Sequence, residues 1–113
     1  MVTIPVMSES RTYRVTIRGR FGALSEAARA YLQRHVDDHE IFKSAYTPEG
    51  SFTYDARIDF FNLRYEIKVD GDAAAAEESG LVEAESFLAT MGFVHRGLKA
   101  TVVEMSTVWN HEH

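Results

Sequence analysis

Two stretches of the chain alternate apolar and polar residues with a period of two, and this pattern constrains the fold more than any other feature. "TYRVTIRGRF" (12–21) and "FFNLRYEIKV" (60–69) both show it. Successive side chains of a β-strand point to opposite faces of its sheet. Both stretches are therefore predicted to be strands with one buried face, formed by Tyr13, Val15, Ile17, Phe21, Phe61, Leu63, Tyr65, Ile67 and Val69.

Two other stretches change to the spacing of an amphipathic helix. Residues 22–39, "GALSEAARAYLQRHVDDH", offer Ser25 as an N-cap with Glu26 in the first turn. Residues 73–91, "AAAAEESGLVEAESFLATM", are followed by Gly92, which suits a helix C-terminus. The predicted buried stripes are Leu24, Ala28, Tyr31, Leu32 and His35 on the first helix, and Ala73, Ala76, Gly80, Ala84, Phe87, Leu88 and Met91 on the second.

The remaining segments complete an order of strand, helix, two strands, helix, strand. "TPEG" (47–50) is predicted as a turn between the hairpin arms "SAY" (44–46) and "SFTY" (51–54), and "GLKATVVEMSTVW" (97–109) as the last strand. Right-handed crossovers place both helices on one face of the sheet. We expect an α+β, ferredoxin-like βαββαβ fold with an antiparallel sheet. It forms a single domain over 1–113, with flexible ends at 1–11 and 110–113.

The composition limits the classes of function. The 113 residues are 45% hydrophobic and 26% charged, as in ordinary globular domains. The chain has no cysteine, which excludes disulfides, thiolate metal ligands and a cysteine nucleophile. A formal net charge of −5 argues against nucleic acid and anionic membranes as partners. We expect a cytoplasmic protein with no cofactor, no nucleic-acid partner and no membrane partner; translation from Met1 and from Met7 both fit the pattern.

The face of the sheet opposite the helices is the first candidate site. It would carry Arg14, Arg18, Arg20, Arg64 and Glu66. This face is either a solvated polar surface or a surface that recognises a carboxylate or phosphate, or a second copy of the chain, through its guanidinium groups. We expect a homodimer built on this face, because neighbouring like charges need compensation.

Two aromatic residues are also candidates for ligand contact. Tyr54 and the adjacent Asp55 follow the predicted hairpin turn. They lie either at a pocket rim, or else Tyr54 is in the core and Asp55 binds backbone amides in the connector. Trp109 either stacks on a ligand or seals the edge of the core. Both aromatic residues are therefore kept as candidate ligand or interface residues.

His35 and His39 are four residues apart, which places them on one face of the first predicted helix. Three interpretations are open: the polar end of a helix, a pair for general acid–base catalysis, or two ligands of one metal ion. A metalloprotease helix needs glutamate directly after its first histidine, whereas Val36 follows here. We expect no metal site, and His35 and His39 remain the candidate catalytic residues.

The strand–helix run "TYRVTIRGRFGALSEAARAYL", "FTYD" after the turn and "FFNLRYEI" resemble a family of small uncharacterised actinobacterial proteins, a domain of unknown function. The resemblance spans about Thr12 to Trp109 and implies no activity or cofactor. The topology also resembles the dimeric α/β-barrel group, which includes polyketide cyclases and cofactor-free monooxygenases. Two functions stay open: a dimeric binding or accessory module for a small anionic or aromatic ligand, or an enzyme with a histidine general base. The net charge opposes a third, nucleic-acid binding, although a local basic stripe could still act.

Overall fold

The computed structural model describes residues 11–36 and 45–105, which form a four-stranded antiparallel sheet with two helices on one of its faces. Neighbouring strands lie in the order β2-β3-β1-β4, and each neighbouring pair is antiparallel. The predicted α+β class is confirmed. The elements in chain order are β1 (Arg11–Phe21), α1 (Glu26–Arg34), β2 (Ser51–Tyr54), β3 (Phe60–Val69), α2 (Ala73–Met91) and β4 (His95–Glu104).

The two alternating stretches form the central strands, and their predicted register is confirmed. Val15 lies opposite Tyr65 and Ile17 opposite Leu63. All of the predicted inward-facing residues of β1 and β3 are buried except Val69, which packs half-buried against the same core. Strand β1 begins at Arg11, which pairs with Val69 and therefore does not belong to a flexible end. Residues 1–10 and 110–113 of the predicted ends lie outside the described residues.

Helix α2 packs on the inner face of the sheet through a stripe of mostly small residues. Its buried positions recur every four residues, at Ala76, Gly80, Ala84 and Leu88. A Cβ atom added to Gly80 would lie 2.7 Å from Cγ1 of Val15. The backbone of α2 therefore lies directly against β1. Neither helix within the described ranges has the length and apolar character needed to cross a membrane.

Helix α1 is shorter than predicted. Ser25 is its N-cap, as expected, and accepts a hydrogen bond from the N–H of Ala28. The helix ends at Arg34, with His35 as C-cap, so the prediction of helix at His35 and Val36 was wrong. The Tyr54 hydroxyl donates a 2.5 Å hydrogen bond to the Leu32 carbonyl, which also accepts the N–H of the C-cap residue His35 at 3.2 Å. Predicted positions 37–39 lie outside the described residues.

Two short segments pair differently from the prediction. Gly50 donates its N–H to the Thr47 carbonyl at 3.1 Å, which confirms the turn at 47–50. Of the predicted arm 44–46, residues 45 and 46 are described and form no strand, and the next residue, Thr47, forms an isolated parallel bridge with Tyr65 of β3. Strand β4 begins at His95, two residues before the prediction, and its pairing shifts by one residue around Gly97, where φ is +60°.

Gly80→Ala should lower the free energy of unfolding by about 1–2 kcal/mol, since overpacking costs about 1–3 kcal/mol and the higher helix propensity of alanine returns up to about 1 kcal/mol. The side chain of Val15 cannot easily move away from the added methyl group, because a β-branched side chain is stiff and this one is fully buried. Urea denaturation measures the change, with the exposed Ser86→Ala as a control on the same helix. A more stable Gly80→Ala protein would contradict the close contact.

Candidate functional site

The face of the sheet away from the helices, called the outer face below, carries all of the arginines predicted for it. On β1 and β3, Arg14 lies opposite Glu66, Arg18 opposite Asn62 and Arg20 opposite Phe60. These residues alternate with the buried ones, so their side chains point away from the helices. Arg64 lies opposite Thr16 on the same face.

The outer face is strongly basic although the chain is acidic. Strand β4, from which the sequence predicts residues near this face without identifying them, adds Lys99 opposite Arg18 and Arg96 opposite Arg20. Among the described residues, Glu66 is the acidic side chain that strand pairing places here. The face therefore has a local excess of positive charge, which comes from Arg14, Arg18, Arg20, Arg64, Lys68, Arg96 and Lys99.

The ring of Phe60 makes cation–π contacts with two of these arginines. The guanidinium carbons of Arg18 and Arg20 each lie 4.9 Å from the centroid of its ring. Cations are attracted to the face of an aromatic ring within about 6 Å of its centroid. Phe60 is still 36% exposed, and it is one of the exposed large hydrophobic residues of the structure. Two guanidinium groups and one accessible ring thus form a compact unit on the surface.

Tyr46 forms a second such unit, which the sequence did not predict. Its ring lies 5.1 Å from the guanidinium carbon of Arg14, and its hydroxyl shares a 2.8 Å hydrogen bond with the hydroxyl of Thr16. The parallel bridge at Thr47 anchors the segment that carries Tyr46 beside β3. Arg64 is held separately, since its Nη1 donates to the Oγ1 of Thr53 at 3.1 Å.

None of these four arginines has a carboxylate partner within the described part of the chain. The ion pair found in those ranges joins Arg11 to Glu104 at 3.8 Å. Rings and hydroxyl groups therefore position the guanidinium groups of Arg14, Arg18, Arg20 and Arg64 while leaving N–H donors for an anion. Hydrogen bonds from a guanidinium to a carboxylate or phosphate are among the strongest that proteins make.

Of the two candidate histidines, the described His35 is not brought together with this face. His35 is half-buried, and its ring centroid lies 4.4 Å from that of Tyr31 on α1. His39 lies outside the described residues, and so does Trp109. Within the described ranges no three His, Asp or Glu side chains are grouped to hold a metal ion.

Tyr54 belongs to the core and not to a binding surface. It is 6% exposed, and its hydroxyl is engaged with α1 as described above. Its ring packs in an aromatic cluster on the inner face, 5.2 Å from Phe52 and 6.1 Å from Phe21 by ring centroid. Of the two interpretations of Tyr54, the structure favours the core residue over the pocket rim.

An apolar cleft opens at the C-terminal end of α2. It has a volume of about 330 Å³ and is lined by Leu88, Ala89, Gly92, Phe93, Val94 and His95. His95 is its ionisable residue, and the Nδ1 atom of that side chain lies 3.4 Å from the Phe93 carbonyl oxygen. His35 is not among the residues that line this cleft.

Asp55 positions Phe60 through the connector between β2 and β3. Its Oδ1 accepts the N–H of Asp59 at 2.9 Å and the N–H of Phe60 at 3.0 Å. Burial by itself raises the pKa of the Asp55 carboxyl, but the hydrogen bonds from backbone N–H groups and the charge of Arg57 outweigh it and leave that pKa below its ordinary value. The ionised carboxylate is therefore the form that organises the connector.

Asp55→Asn should lower the melting temperature at pH 7, and the difference from wild type should shrink as the pH falls below about 4. A carboxyl with a lowered pKa in the folded state contributes stability above its unfolded pKa, and that contribution is lost as the pH falls through the folded value. Thermal unfolding followed by circular dichroism from pH 3 to pH 7 measures it. A difference that does not change with pH would show that the charge has no role.

The comparisons with known proteins supply a family but no activity. The model of a family described as a family of unknown function (DUF6204) matches residues 7–112 of the chain. No curated protein matches the chain, and no solved structure does. A functional hypothesis must therefore be built from the geometry of the outer face.

Proposed function

The chain belongs to this family of unknown function, and we propose from its geometry that it is a noncatalytic binding module whose outer face binds an anionic partner. One observation carries the proposal: Arg14, Arg18, Arg20 and Arg64 are positioned by rings and hydroxyl groups, with no carboxylate partner among the described residues.

Repulsion between like charges favours an outer face with a bound anion over an outer face without one. Like charges that lie opposite each other on neighbouring strands destabilise a sheet. Arg18 opposite Lys99 and Arg20 opposite Arg96 are two such pairs. An anion between them removes the repulsion and gains charge-assisted hydrogen bonds. The guanidinium groups are already ordered by their contacts, so binding loses little side-chain entropy.

The predicted homodimer enters this proposal in a modified form. A two-fold interface brings the same patch of both subunits together. On the outer face it would set the basic residues of one copy against those of the other, with Glu66 as the described acidic residue of each. Exposed Phe60 and Val103 on this face favour contact between copies. We therefore propose that self-association requires an anion bound between the two faces.

The second function that the sequence leaves open has less support. The strand order and the antiparallel neighbours support the ferredoxin-like plan, and through it the likeness to the dimeric α/β-barrel group. An enzyme of that type would need its general base in a cavity. The apolar cleft is lined by His95, whereas the ring of His35 packs on Tyr31. Fold alone does not supply the chemistry.

Sodium tripolyphosphate should raise the melting temperature of the wild-type protein, because a ligand that binds the folded state stabilises it. The rise should be much smaller in Arg18→Glu and unchanged in Arg29→Glu, which makes the same charge change on the exposed surface of α1. Added NaCl should reduce the rise, since salt screens exposed charges. Equal rises in the two variants would contradict binding at the outer face.

Light scattering should show a monomer at micromolar concentration without polyanion and a dimer when tripolyphosphate is added. Arg18→Glu should stay monomeric under both conditions, since it removes one of the guanidinium groups that hold the bridging anion. Its far-UV circular dichroism should match wild type. A wild-type protein that is dimeric in the absence of anions, at every salt concentration, would overturn the requirement for a bridging anion.

A further inference from the structure

We propose that the anionic partner of the outer face is a single-stranded nucleic acid. This inference rests on the proposed function and specifies its ligand. Three features of the face support it: the length of the row of cations, the aromatic rings within that row, and the open shape of the sheet.

The row of cations is too long for a small anion. Arg14 and Arg20 are six residues apart on one strand, which corresponds to about 20 Å at about 3.4 Å per residue. Arg18 lies between them, with Lys99 opposite it on β4, and Arg64 on β3 lies opposite Thr16 of the same strand. A single phosphate or dicarboxylate reaches one or two of these groups. A ligand that engages all of them is an extended polyanion.

The aromatic rings select among extended polyanions. Tyr46 lies beside Arg14 and Phe60 beside Arg18 and Arg20, so both rings lie along the row of cations. Unpaired bases stack on aromatic side chains and on the planes of arginine guanidinium groups. Inorganic polyphosphate and acidic peptides have no flat ring to use such a surface. A nucleic acid uses both the charges and the rings.

The shape of the face favours a single strand over a duplex. Proteins read duplex DNA by inserting a helix or a β-ribbon into a groove. The outer face presents the broad surface of four strands, with Thr16, Asn62 and Thr101 among its arginines and lysine. Hydroxyl and amide groups of this kind form hydrogen bonds with the edges of splayed bases. A single strand can lie across such a surface.

The net charge of −5 does not oppose this binding. The expectation of no nucleic-acid partner rested on the net charge of the whole chain, which a local basic stripe can override. Glu77, Glu78, Glu83 and Glu85 belong to α2, which covers the inner face of the sheet. A helix is about 10 Å across, and charges are largely screened beyond about 8 Å at physiological ionic strength. A strand on the outer face therefore meets mainly the positive charges.

Fluorescence anisotropy with a labelled 12-nucleotide oligouridylate tests the proposal. The logarithm of the wild-type association constant should fall with the logarithm of salt concentration, with a slope of about −3 for four phosphate contacts. Arg18→Glu should weaken binding strongly, and the matched Arg29→Glu should bind like wild type. Unlabelled oligouridylate should compete better than a 12-mer of double-stranded DNA at equal phosphate concentration.

Removal of a ring separates nucleic acid from other polyanions. Phe60→Leu should weaken oligouridylate binding by roughly tenfold, because stacking of one base on an aromatic side chain is worth about 1–3 kcal/mol. Tyr46→Leu should act in the same direction and serves as a second ring deletion if Phe60→Leu folds poorly by far-UV circular dichroism. The affinity for tripolyphosphate should change much less in both variants.

The outcomes distinguish this inference from the proposed function. If ring deletion weakens oligouridylate and tripolyphosphate equally, the face binds anions but the nucleic-acid proposal fails. Tighter binding of a decaglutamate peptide than of oligouridylate also overturns it and identifies an acidic protein surface as the partner. If the wild-type protein binds none of the three ligands at low salt, both the inference and the proposed function are wrong.

Discussion

The contact between the backbone of α2 and strand β1 at Gly80 determines much of this structure. Small residues on the buried side of α2 allow the helix to lie against Val15, which fixes the inner face of the central strands. Because strand side chains alternate, the opposite face then receives every residue between the buried ones. The arginines, which alternate with the buried residues, therefore lie on the face that α2 does not cover.

Much of the fold follows from the sequence, because β1, β3 and α2 have strong local periodicity. Where the structure differs, a tertiary contact decides. Helix α1 ends at Arg34. The hydroxyl of Tyr54, which belongs to strand β2 and not to the helical pattern, donates a hydrogen bond to the Leu32 carbonyl in the last turn of the helix. His95 precedes the predicted last strand (97–109), yet it belongs to β4 and pairs with Phe21, beyond an irregularity at Gly97. Local patterns contain no information on such partners.

The candidate site could be predicted only in part, for the same reason. The alternation of β1 and β3 is sufficient to place the arginines on one face. It does not reveal Tyr46, because the bridge between Thr47 and Tyr65 that brings this ring to the outer face joins segments eighteen residues apart. The helical spacing that related His35 to His39 depended on a helix that continued beyond Arg34, and His35 instead caps it.

The separation of charge between the two layers also affects how the protein approaches a partner. A positive sheet surface opposite the acidic helix α2 gives the protein an electric dipole, so the field of the proposed polyanion would exert a torque on it before contact. The diffusing protein would reach the polyanion with the outer face of its sheet first and helix α2 on the far side. Such steering raises association rates by factors of about 10–10³ and weakens steeply with ionic strength. The negative charge of helix α2 would then help to orient the protein in each encounter with a polyanion.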